Sequence, residues 1–136
     1  MPQKVLIIED EDSIASTIEQ LLSIRYNVDV SIASCVAEAE KFLEESQFRV
    51  IVVDNFLPDG AGFKMVCDIA DTQKWIYDAH LIFLSGVYYV DMMPEFAESV
   101  EKFSKLHVRN KPITAETLYE MVEDALTRHP SKTEGS

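Results

Sequence analysis

Basic residues are scarce in this chain: 12 Lys and Arg face 24 Asp and Glu, a formal net charge of −12. No basic stripe exists to neutralise phosphates, which argues against nucleic-acid binding through this chain. Cysteine is scarcer still. Cys35 and Cys67 lie in helix-like stretches without CxxC or zinc spacing, and read as buried thiols in a reducing compartment. Long apolar runs are missing: none approaches the ~20 residues that cross a bilayer. The N-terminus also lacks the charged-then-apolar layout of a secretory leader. These absences predict a cytoplasmic protein with no membrane partner.

What is present is enough for one folded domain. The chain has 136 residues, 47% hydrophobic and 26% charged, the balance of an ordinary globular protein. Short apolar runs alternate with amphipathic stretches. The runs are Val5–Ile8, Val28–Ile32, Val50–Val53, Leu81–Leu84 and, weakest, Leu106–Arg109, and their β-branched content predicts strands. Between them lie helical stripes: Ile14, Ile18, Leu21 and Leu22; Val36, Ala39 and Leu43, with Ser34 placed to cap; Phe63, Val66, Cys67 and Ala70. Two more follow, Phe96, Val100 and Phe103, then Leu118, Met121, Val122 and Ala125, the last with Thr114 as N-cap. Strict β-α alternation predicts an α/β, doubly wound parallel sheet with helices on both faces. Residues 129–136 are polar and helix-breaking, a tail, linker or cloning remnant beyond a domain spanning 1–128.

In such a sheet ligands bind beyond the carboxyl ends of the strands. Glu9 and Asp10 follow the first strand; Asp54 follows the third, with a turn at Leu57 to Gly60; Ser85 follows the fourth and Lys111 the fifth. Carboxylates crowded at one rim repel one another unless a cation intervenes. A hard divalent ion such as Mg²⁺ meets that need with oxygen ligands. Asp54 could then attack phosphorus as a nucleophile, with Lys111 and Ser85 binding the other phosphoryl oxygens. Glu11 and Asp12 have the simpler role of acids in a first helical turn.

Ile8-Glu9-Asp10-Glu11, Val53-Asp54 with Pro58 and Gly62, Leu84-Ser85-Gly86 and Lys111-Pro112 together resemble the signature of response-regulator receiver domains, over roughly residues 4–128. The resemblance implies a five-stranded flavodoxin-like (βα)5 fold with strand order 2-1-3-4-5. It implies that Asp54 is the phosphoacceptor, Asp10 a direct Mg²⁺ (or Mn²⁺) ligand, Glu9 a water-mediated one, and the Phe56 backbone carbonyl a further ligand. It also implies a cis Lys111-Pro112 bond. The partners it implies are a sensor histidine kinase or histidine phosphotransfer protein and a downstream protein target, and it allows a homodimer through the fourth and fifth helices.

Three departures concern the switch rather than the chemistry. Val108 stands where the family usually has an aromatic, Gly86 where Ala is commoner, and the stretch from Ser85 to Lys111 is longer than usual. Tyr88 and Tyr89 are therefore candidates for the element that changes burial on activation. A haloacid-dehalogenase-type phosphatase would need an acid two residues after Asp54; Phe56 cannot deliver a proton. A flavin-binding protein of like topology would need a phosphate loop after the first strand, and none is present.

Overall fold

Successive residues of a strand point to opposite faces of the sheet, and here both faces are dry. In β3 (Val50–Asp54), Ile51 and Val53 enter one buried cluster while Val50 and Val52 enter another. The same division runs through β1 (Gln3–Ile8), where Leu6 and Ile8 go one way and Val5 and Ile7 the other. That is why these runs are continuously apolar rather than alternating. The computed structural model describes residues 1–85 and 97–130.

The first layer is closed by α1 (Asp12–Arg25) and α5 (Ala115–Val122), which bury Ala15, Ile18, Leu22, Leu118, Met121 and Val122. The second is closed by α2 (Val36–Glu45), α3 (Gly62–Ala70) and α4 (Ala97–Lys102); Leu43, Phe63 and Val66 are buried there. Val100 and Phe103 pack into the second layer, whereas Phe96 lies outside the described residues. Strands β2 (Val28–Ala33), β6 (His80–Ser85) and β7 (Lys105–Asn110) complete a five-stranded sheet in the order β2-β1-β3-β6-β7. All its pairings are parallel. The remaining strands, β4 (Phe56–Leu57) and β5 (Gly60–Ala61), form a separate antiparallel hairpin whose turn is Pro58–Asp59. Setting that hairpin aside, the order is the expected 2-1-3-4-5.

Two local expectations need correction. Ser34 does not cap α2: the helix starts later, with Cys35 at the N-cap position, and Ser34 gives its N–H and its hydroxyl to the Glu38 carboxylate at 2.8 and 2.6 Å. The cap comes from another element, because the Asp59 carboxylate accepts from the N–H groups of Val36 and Ala37 at 2.7 and 3.1 Å. Only Cys67 is a buried thiol; Cys35, at that exposed helix start, is half-buried, and neither is in a disulfide. Thr114 does cap α5, accepting from the N–H of Thr117 at 3.1 Å. Trp75 and Tyr77 lie on a short 3-10 turn, Lys74–Asp78, and pack against the second layer. Among the described residues no helix is long and apolar enough to cross a membrane.

Candidate functional site

Three strand ends deliver the polar residues. β1 stops at Ile8 and hands the chain to Glu9 and Asp10; β3 ends on Asp54; β7 ends at Asn110, one residue before Lys111. Because β6 lies between β3 and β7, only a long side chain can cross from the β7 side to the acids. Lys111 does so: its Nζ stands 2.6 Å from Glu9 Oε1 and 3.3 Å from Asp54 Oδ2. The Lys111-Pro112 peptide is cis, as expected.

Glu9, Asp10 and Asp54 each offer a carboxylate oxygen, and these three atoms lie within 4.8 Å of one another. Glu9 and Asp54 are buried at 3% and 6% exposure, while Asp10 opens to solvent. The Glu9 carboxylate also accepts from the Asp10 N–H at 3.1 Å. Burial, and the Asp54 carboxylate next to it, push Glu9 up to about 7, against the pull of Lys111. Burial works against the Lys111 charge, but pairing with Glu9 and Asp54 prevails and raises its pKa. The ammonium is the counter-ion of a crowded acidic pair.

Gly62 lets the chain fold back over Asp54. A Cβ there would stand 2.2 Å from the Asp54 carbonyl oxygen and 2.8 Å from Val53 Cγ2, closer than real contacts allow. Its N–H donates to the Asn55 carbonyl at 2.9 Å, which closes the loop that starts just after Asp54. Asn55 is 1% exposed, and its Nδ2 has no partner among the described residues. Phe56 begins the hairpin with its side chain 55% exposed, so the position where a phosphatase would hold an acid is apolar and open.

Ser85 ends β6 opposite Asn110, which puts its backbone at the same rim. Its side chain, like Gly86, Tyr88 and Tyr89, falls outside the described residues. Val108 is half-buried, paired with Phe83 in register and packed on the second layer. In the sequence Gly62 stands out only as part of a motif, and neither Asn55 nor Asp59 carries a role. For Asp59 the signal was present in the Pro58-Asp59-Gly60 turn, but its target, the start of α2, is 22 to 23 residues away. No local pattern reaches that far.

The family model of the response regulator receiver domain matches residues 5–123. The chain is 31% identical over 91 residues to the transcriptional regulatory protein CitB of Klebsiella pneumoniae, a match covering 66% of this chain and 38% of that protein. It thus spans well under half of that relative's length. Among solved structures, a CheY-like receiver domain protein from Methanospirillum hungatei JF-1 superposes with a TM-score of 0.74 at 19% identity, covering 91% of this chain and 93% of that one. Chemotaxis response regulator CheY4 of Vibrio cholerae does so with a TM-score of 0.72 at 23% identity, covering 93% and 100%. At such identities the structures speak for the fold, and the family model, which takes in most of the chain, settles the kinship. This chain belongs to the response regulator receiver family.

Proposed function

We propose that this receiver takes a phosphoryl group onto Asp54 from the phosphohistidine of a sensor histidine kinase or histidine phosphotransfer protein, and that the altered surface then changes its binding to a protein target. A carboxylate oxygen of Asp54 attacks phosphorus, the P–N bond breaks, and the imidazole leaves carrying a proton. The observation that supports this reading most is the set of three carboxylate oxygens within 4.8 Å of one another under a lysine ammonium.

The donor set suits Mg²⁺ (or Mn²⁺). It is all hard oxygen, and the raised Glu9 marks a place where negative charge exceeds what one lysine neutralises. Asp10, Asp54 and the Phe56 carbonyl would hold the ion directly, with Glu9 acting through water. When bound, Mg²⁺ supplies the positive charge that offsets the incoming phosphoryl oxygens. Lys111 then releases Glu9 and binds a phosphoryl oxygen as a point charge, and Ser85 donates to another. We assign the receiver to residues 1–128, acting in the cytoplasm as a signalling module whose chemistry is confined to its own aspartate.

Acetyl phosphate, with intact-mass analysis, tests the reading. Wild type with Mg²⁺ should gain one phosphoryl group, and both Asp54→Asn and wild type in EDTA should gain none. Labelling of Asp54→Asn would remove Asp54 as acceptor; equal labelling in EDTA would remove the metal.

A further inference from the structure

The hairpin after Asp54 is held at both ends. At its base the Gly62 N–H donates to the Asn55 carbonyl at 2.9 Å. Above that, Phe56 pairs with Ala61 and Leu57 with Gly60, and Leu57 is buried in the second layer. At its tip Asp59 reaches the first turn of α2, accepting from the N–H groups of Val36 and Ala37 at 2.7 and 3.1 Å. The turn lies close against that helix: a Cβ on Gly60 would stand 3.3 Å from Val36 Cγ2. The Val36 N–H, before any other group, holds the Asp59 carboxyl below its ordinary value, so the clamp is an anion on helix donors.

The start of α2 is also tied to the other side of the acidic cluster. The Glu9 N–H donates to the Ala33 carbonyl at 2.9 Å, just before α2 begins. The contacts therefore run in a ring. They pass from Glu9 to Ala33, through the loop to Val36 and Ala37, across to Asp59, and down the hairpin to Phe56 and Asp54. The ring closes where Glu9 and Asp54 meet again among the clustered carboxylates. A pair of two-residue strands is marginal by itself, so the place of the Phe56 backbone depends on Leu57 and on the two ends that are held. Mg²⁺ demands near-ideal octahedral ligation, which makes it sensitive to a carbonyl that strays.

We infer that Asp59 is a positioning residue of the metal site: by clamping the hairpin onto α2 it holds the Phe56 carbonyl in reach of an ion on Asp10 and Asp54. This rests on Mg²⁺ binding as proposed for those residues, and adds one that touches neither the ion nor the phosphoryl group. Coupling between two sites is reciprocal, so the ion in turn steadies the helix and slows amide opening at Val36 and Ala37. Two variants separate the clamp from its charge. Asp59→Asn keeps an acceptor in the same place without the charge. Glu38→Ala removes a charge from the same helix start, where Glu38 accepts from Ser34, and leaves the hairpin contacts in place.

The test is an NMR titration of the full chain with magnesium chloride at constant ionic strength, with amide hydrogen exchange recorded without and with saturating ion. In wild type the shifts at residues 9, 10 and 54 should saturate, and exchange at Val36 and Ala37 should slow several-fold. Asp59→Ala should bind Mg²⁺ about fivefold more weakly, the worth of one helix cap expressed as an affinity. Its Val36 and Ala37 should exchange equally fast with and without the ion. Asp59→Asn should keep most of the affinity and of the protection, and Glu38→Ala all of both. An absence of saturable shifts in wild type, or the same shifts in Asp10→Asn, would sink the metal reading and this inference with it. Saturable binding that Asp59→Ala shares at equal affinity overturns the inference alone. So does weakening of equal size in Asp59→Ala and in either Asp59→Asn or Glu38→Ala, which would make the effect one of charge.

Discussion

Lys111 holds the resting site together by standing between two acids, 2.6 Å from Glu9 and 3.3 Å from Asp54. Its removal should therefore have two opposite effects. Lys111→Ala leaves Glu9 and Asp54 without their counter-ion, so Mg²⁺ affinity should rise several-fold by isothermal titration calorimetry; a fall would mean that the lysine helps to form the metal site. The same variant should still be labelled by acetyl phosphate but lose most of its conformational response, because the link from the phosphoryl group to β7 is gone. Amide shifts over residues 86–112 that moved as in wild type would remove Lys111 as transmitter. Gly62 makes a steric demand instead. Any Cβ there meets the Asp54 carbonyl at 2.2 Å, so Gly62→Ala must displace the backbone that carries the nucleophile. Overpacking of this kind costs about 1–3 kcal/mol. Urea unfolding should show that loss together with slower phosphorylation, and an unchanged midpoint would mean that the loop yields freely.

At the scale of elements, the hairpin after Asp54 is hydrogen-bonded to α2 through the Asp59 side chain. Asp59 caps the helix through two N–H groups. Asp59→Ala should speed hydrogen exchange at Val36 and Ala37 selectively and leave the α5 amides, capped by Thr114, as they were. Equal exchange in both proteins would mean that solvent satisfies those donors as well. Strands and helices were mostly legible because their signal is local: the β-branched runs at Val5 and Val50 and the stripe at Leu118 need no distant partner. The strands are longer than the apolar runs, since Gln3, Lys4, His80 and Lys105 pair at their polar starts. The Asp59 cap is not legible because it joins chain brought together by the fold; the hairpin, of which the sequence shows only the turn at Leu57 to Gly60, and the 3-10 turn at Lys74–Asp78 are local but too short to carry a periodic pattern. The acidic rim was legible for the opposite reason: in a parallel sheet every strand's carboxyl end arrives at one edge, so Glu9, Asp54 and Lys111 could be grouped before any coordinates. What could not be foreseen was that Lys111 pairs more closely with Glu9 than with Asp54.

Over the whole molecule, two buried groups give stability opposite dependences on pH. The folded state lowers the pKa of His80 below its ordinary 6.5, so the unfolded chain binds more protons there, and the stability this group contributes is lost as pH falls below that value. Glu9 is raised from 4.5 to about 7, so its contribution is present below 4.5 and is lost as pH rises through about 7. In EDTA, His80→Gln should therefore flatten the acid side of the stability profile, and Glu9→Gln the neutral side. Denaturant midpoints measured across pH would show it, and parallel profiles for all three proteins would contradict it.

The sheet itself has a thermodynamic consequence. Ile7 and Ile8 are joined by a peptide bond, yet one belongs to the layer under α1 and α5 and the other to the layer under α2 and α3. Each Ile→Val change should cost about 0.5–1.5 kcal/mol. Because the hydrogen-bonded backbone separates the two cavities, the double variant should lose the sum to within about 0.5 kcal/mol, as for distant sites. Ile8 and Val53 are 45 positions apart in sequence but paired across β1 and β3 in one layer, so Ile8→Val with Val53→Ala should depart from additivity. In this fold, energetic neighbourhood follows the face of the sheet and not the order of the chain.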